Sequence, residues 1–106
     1  MKLGIIIYSD DAETVWNACR LANFSLNKGD QVKVFLMAKG VEAESLSTKQ
    51  YDIKDLLEKF LENKGTIYAC GTCLKIRNQE STEICPMSTM ADLYDIIDES
   101  EKIISF

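Results

Sequence analysis

Short apolar runs alternate along this chain with segments whose apolar residues recur at helical spacing, and few folds accommodate such an alternation. Leu3 to Tyr8 (LGIIIY) is a continuous, largely β-branched run, the pattern of a strand buried on both faces. Ser9 and Asp10 follow as candidate N-caps. Ala12, Val15, Trp16, Cys19, Ala22 and Leu26 then repeat at helical spacing until Gly29 stops the helix. Gln31 to Met37 (QVKVFLM) reads as a second strand, and Ala38 to Ser47 as a loop. Asp52 caps a one-sided amphipathic helix carrying Ile53, Leu56, Leu57, Phe60 and Leu61, closed by Gly65. Thr66 to Ala69 (TIYA) is a third strand that runs into Cys70-Gly71-Thr72-Cys73, with a short helix over 72–77. Glu83 to Cys85 reads as a brief fourth strand ended by Pro86. Ser88 or Thr89 caps a last helix with Met90, Leu93, Tyr94 and Ile97 on one face, and Lys102 to Phe106 (KIISF) forms a fifth strand.

Strands and helices in strict alternation predict an α/β fold, with a parallel sheet between helical layers and right-handed crossovers. No repeat, linker or shift in composition interrupts residues 1–106, so a single domain is expected. In such a sheet the loops at the carboxyl ends of the strands share one rim, and ligand sites collect there. The helix-face aromatics Trp16, Phe60 and Tyr94 are expected in the core, whereas Ile76 and Phe106 are expected at the surface.

Charge and composition exclude several classes. Twelve Lys and Arg stand against 17 Asp and Glu, a net charge of −5. Such a surface repels phosphate backbones, which argues against nucleic-acid binding. No stretch approaches the ~18 apolar residues of a membrane-spanning helix, so no membrane partner is expected. The run at Leu3–Tyr8 is too short for a signal-peptide core, and a cytoplasmic location is the corresponding expectation. The chain has no histidine, which removes imidazole bases and His-containing metal sites. Nucleophile-elbow, phosphate-loop and dinucleotide-binding glycine motifs are also absent.

Sulfur is left to carry the chemistry. Cys70 and Cys73 form a C-x-x-C between a strand end and a helix start, where free backbone N–H groups and the helix dipole favour a thiolate. Thiol pKa values at such sites fall to ~3.5–7.5, against ~8.5 for a free cysteine. Gly71 permits a sharp turn that leaves the sulfur uncovered. The spacing admits a reactive thiol or dithiol, a zinc site, or cysteines that are simply small buried hydrophobes. The zinc reading is poorly served: 11 residues separate Cys73 from Cys85, no second C-x-x-C exists, and the isolated Cys19 would have to join. Cys19 shares an apolar helix face with Val15, Trp16 and Ala22 and is expected in the core. Cys85 reads either as a second thiol on the rim of Cys70 or as a buried apolar cysteine beside Pro86. Asp10 and Glu13 reach the same rim from the first strand, where capping and the helix dipole account for them. Gly40, in the turn after the second strand, is placed to cover a pocket there.

With these residues in view, the chain resembles the DsrE/DsrF-like family, in particular its small YchN-like branch. The likeness is carried by residues 9–37, by KGVEAE (39–44), by YACGTCLKIR (68–77) and by the closing segment 87–106. CGTC-L-x-x-R is its most specific part, joining the cysteine pair, the turn glycine and Arg77 at fixed spacing. Asn78 stands where many relatives have glycine, and Ala38-Lys39 where many have an acidic or Gly-rich turn. The resemblance implies a three-layer α/β/α domain around a five-stranded parallel sheet, assembled as a homotrimer, a homohexamer or a hetero-oligomer of a sulfur relay. It implies that Cys70 carries sulfur as a persulfide, with Cys73 the extra cysteine of the CGTC branch. Gly71, Thr72, Arg77 and Cys85 would support them. The expected function is therefore that of a sulfur carrier or sulfurtransferase accessory, exchanging sulfur with donor and acceptor proteins and needing no metal or organic cofactor. A dithiol redox switch built on Cys70 and Cys73, and an oligomeric module binding a small ligand, are the alternatives.

Overall fold

The computed structural model describes residues 1–106. The β-branched run becomes β1 (Lys2–Ile7), and strand alternation places Leu3, Ile5 and Ile7 together on one fully buried face. Val32, Val34 and Leu36 of β2 (Gln31–Leu36) lie beside them in register. Ile67 and Ala69 of β3 (Thr66–Cys70) continue the same buried surface. With β4 (Met87–Ser88) and β5 (Lys102–Ser105) the sheet has five parallel strands in the order β4-β3-β2-β1-β5.

That order explains the layers. The chain steps outward from β1 to β4 in one direction and then returns across the whole sheet to β5. Right-handed connections therefore put α1 (Ala12–Asn27) and α2 (Ile53–Glu62) on one face and α4 (Met90–Glu99) on the other. The contacts agree. Trp16 of α1 meets Tyr51, just before α2, at a ring separation of 5.3 Å. On the opposite face Glu99 of α4 reaches back to Lys33 of β2 at 2.8 Å. Gly4 makes room for this face: a methyl group there would lie 2.6 Å from Ile103 of β5 and 3.0 Å from Ile96 of α4. The three-layer α/β/α arrangement is thus present.

Several local expectations are corrected. The fourth strand is Met87–Ser88, after Pro86 and not before it. The Pro86 carbonyl accepts the Ala69 N–H at 3.1 Å, and a proline that donates nothing is at home at the start of an edge strand. Ala38–Leu46 is a 3-10 helix, not an open loop. Asp11, not Ser9 or Asp10, caps α1, accepting the Thr14 N–H at 2.9 Å and its hydroxyl at 2.8 Å. At the end of α2 the left-handed residue is Lys64, with φ 72°, not Gly65. Asp52 does cap α2, and Thr89 caps α4 in a reciprocal box with Asp92. Phe60 is core, but Tyr94 is exposed. Leu93 and Ile96 form the buried side of α4. Phe106 packs against the core, while Ile76 is exposed as expected.

Candidate functional site

Cys70 is both the last residue of β3 and the N-cap of α3 (Gly71–Ile76). Its Sγ occupies the place an Asp or Ser oxygen takes at other helix starts and accepts the Cys73 N–H at 3.4 Å. The cap geometry, with a three-residue reach, is what brings the two cysteines together. Gly71 serves packing more than turning. A side chain there would crowd Met87, at 2.8 Å, and the Ser88 carbonyl, at 3.1 Å, so the glycine lets β4 close against the cysteine turn. Thr72 faces solvent.

Cys73, one turn into α3, is half-buried, whereas Cys70 is only 8% exposed. The Cys73 Sγ accepts the backbone N–H of Ala38 at 3.2 Å. Ala38 begins the 3-10 helix in the left-handed region, with φ 50°, which turns its amide toward the sulfur. Gly40 holds that turn in place. A methyl group there would collide with the Ile7 carbonyl oxygen, so only glycine lets the 3-10 helix lie directly on the end of β1. Gly40 is thus a support of the site and not a cover over it.

Arg77 lies at the far end of α3. Its guanidinium donates to the Cys73 carbonyl at 3.2 Å and faces the Glu42 carboxylate at 3.5 Å. It ties α3 to the 3-10 helix and also brings positive charge toward the Cys73 thiol. Gln79 adds a second tie, donating to the Val41 carbonyl at 2.7 Å, and the Thr82 hydroxyl a third, to Glu44 at 2.9 Å. Beside these ties runs an open, polar groove of about 570 Å³ whose walls include Glu42, Arg77, Gln79 and Thr82.

Electrostatics at Cys73 differ from the sequence expectation. Burial, and then the neighbouring Cys70 thiol, hold the Cys73 thiol above its ordinary value; the Ala38 amide and the Arg77 charge pull the other way without prevailing. Cys73 therefore keeps its proton at neutral pH, next to the cap sulfur of Cys70. No three side chains of the metal-ligating types converge on this or any other point.

The remaining candidates separate from the pair. Cys85 precedes β4 by two residues and does not sit at its carboxyl end, since Cys70 is in register with Ser88. Its thiol is buried, and burial together with the Glu44 charge pushes it up to about 12. Cys19 is core, as expected, and is likewise pushed up to about 12 by burial, with the nearby Cys85 adding to the rise. Glu13 turns toward Tyr51, whose hydroxyl is held above the ordinary range by burial and then by the Glu13 carboxylate. Asp10 is exposed at the rim. Ala38, noted in the sequence only as a departure in its turn, has a role at Cys73 that sequence reasoning passed over. It contributes an amide and a backbone angle, neither of which has a signature in an alanine.

Comparison with known proteins agrees with this architecture. A family model described as the DsrE/DsrF-like family matches residues 1–106. An uncharacterized protein of Methanopyrus kandleri is 31% identical over 100 residues, covering 89% of this chain and 83% of the relative. An uncharacterized protein of Methanocaldococcus jannaschii is 27% identical over 114 residues and covers both chains fully. Among solved structures, the YchN protein from E. coli superimposes with a TM-score of 0.82 at 21% identity over 100% of both chains. A conserved protein of unknown function from Bacteroides thetaiotaomicron gives 0.79 at 23% identity, covering 99% of this chain and 94% of that one. These two structures share the fold. By the match along its whole length, the chain belongs to the DsrE/DsrF-like family, whose role is in general of the sulfur-relay type.

Proposed function

We propose that this protein is a sulfur carrier that holds sulfane sulfur as a persulfide on Cys70 and passes it to a partner protein. The observation that carries this reading is the cysteine pair itself: two free cysteines at the carboxyl end of β3, the Cys73 backbone N–H donating to the Cys70 Sγ. The outer sulfur of a donor persulfide, R–S–SH, is transferred to the Cys70 thiol, giving Cys70–S–SH and the donor thiol R–SH. An acceptor thiolate then takes the outer sulfur and returns Cys70 to the thiol. Neither step changes the net oxidation state, so the chain's own residues suffice without a metal or an organic cofactor. Cys73 is the second thiol of the exchange. The work is done in the reducing cytoplasm, with sulfur donor and acceptor proteins as partners and without nucleic acid or membrane. The carrier itself is a homotrimer or homohexamer.

The test is intact-mass analysis of the reduced protein after exposure to a persulfide donor and desalting, beside Cys70→Ser and Cys73→Ser. The expected result is one added sulfur, removable by dithiothreitol, that survives desalting in the parent and is missing from Cys70→Ser. Loss of two hydrogens without added sulfur, abolished by either substitution, would replace the carrier by a dithiol redox switch. An unchanged mass would leave an oligomeric ligand-binding module.

A further inference from the structure

Cys70 is 8% exposed and engaged as a helix cap, which is a good place to keep a reactive sulfur and a poor place to receive one. Cys73 is the more exposed of the two, and its Sγ lies on the Ala38 amide at 3.2 Å. That amide is not an accident of loop packing. It is aimed by a left-handed alanine and held where Gly40 lets the 3-10 helix lie on the end of β1. A backbone N–H directed at a sulfur stabilises that sulfur when it becomes anionic, as a thiolate must on attack or on departure.

Resting on the carrier reading above, we propose that sulfur enters this protein at Cys73 and is handed inward to Cys70, with the Ala38 amide as the anion-binding donor of the entry step and Gly40 as its positioning residue. Cys73 loses its proton to solvent, and its thiolate attacks the outer sulfur of the donor R–S–SH. The donor S–S bond breaks, R–S⁻ leaves and takes up a proton, and Cys73–S–SH forms. The Cys70 thiolate then attacks the outer sulfur of that persulfide. A new S–S bond forms at Cys70, the one at Cys73 breaks, and the Cys73 thiolate leaves onto the Ala38 N–H. The result is Cys70–S–SH and a free Cys73, with no net oxidation and no further reactant. Cys70 is then the store and Cys73 the port.

The experiment follows loading over time by quenched intact-mass analysis with glutathione persulfide as donor. Cys73→Ser is expected to reach the parent's final adduct on Cys70 but about tenfold more slowly, since the buried thiol must react directly. Cys70→Ser is expected to gain sulfur as fast as the parent and to lose it on desalting. Gly40→Ala, which displaces the amide, is expected to slow loading and to move the rate's pH midpoint upward, an effect that a merely loosened fold does not produce. Equal loading rates in Cys73→Ser and the parent would overturn the entry role while leaving the carrier intact. Absence of any adduct on the parent would overturn both.

Discussion

Cys19 and Cys85 are 3% and 2% exposed, and each thiol is pushed up to about 12 from an ordinary value of 9.0. Below pH 9 both are protonated whether the chain is folded or not, and their contribution is fully present. Between pH 9 and 12 the unfolded chain releases protons that the folded one retains, so stability falls as pH rises, by about 1.4 kcal/mol per pH unit for each thiol. Urea midpoints measured between pH 8.5 and 10.5 are therefore expected to drop more steeply for the parent than for a Cys19→Ala/Cys85→Ala double variant. The variant starts lower, because a small cavity replaces each sulfur. Parallel slopes would assign the alkaline loss to lysine and tyrosine instead, among them Lys33, Lys59 and Tyr51, whose pKa values are also raised. At this scale the core position of Cys19 was legible in its helix register. That of Cys85 was not, because it depends on where β4 pairs. The contribution of Ala38 was invisible, since a backbone amide belongs to every residue alike.

Features whose partners are close in sequence read more easily in this chain than those whose partners are distant. Asp52 and Thr89 cap their helices through bonds that reach only three residues, so the local sequence contains both partners. β4 is two residues long and exists because Met87 and Ser88 pair with Ala69 and Cys70, 18 residues earlier in the chain. Nothing in its own composition marks it, and Pro86, read as a stop, is its lead-in. The end of α2 shows the same limit. Gly65 looks like the terminator, yet the left-handed angle falls on Lys64, φ 72°, while Gly65 is kept small by the ring of Phe60. A lysine held there carries a steric penalty that glycine lacks. Lys64→Gly is accordingly expected to stabilise the protein by about 0.5–1 kcal/mol, after its larger unfolded-state entropy is allowed for. The measurement is the denaturation midpoint at constant m-value. A lower midpoint for Lys64→Gly would mean that the unfolded-chain term outweighs the relief of strain.

At the scale of the whole molecule, the two faces of the sheet are covered unequally. α1, α2 and the 3-10 helix pack over one face, and α4 alone lies on the other. α4 is also apolar on more than its buried side. Leu93 and Ile96 meet the sheet, while Met90, Tyr94 and Ile97, at i, i+4 and i+7, form a second stripe left in solvent, with Tyr94 68% exposed. This stripe is why Tyr94 misreads as core: the helical period marks an apolar face correctly but does not say whether the chain's own sheet or another copy covers it. In the proposed homotrimer or homohexamer this stripe is the expected contact, with the exposed Asp98 at its edge one turn after Tyr94. Tyr94→Asp places an unpaired carboxylate in the interface, which costs several kcal/mol when buried and little in the isolated chain. Light scattering after gel filtration is expected to give three or six times the 12.0 kDa chain mass for the parent and the chain mass itself for Tyr94→Asp, with unchanged far-UV circular dichroism. A parent that stays at 12.0 kDa at high concentration would remove the assembly from the proposal. A Tyr94→Asp protein that still assembles would move the contact to another surface. The cysteine pair is built from β3, α3 and the 3-10 helix, none of which contributes to the stripe, so the monomeric variant is also expected to load Cys70 at the parent's rate.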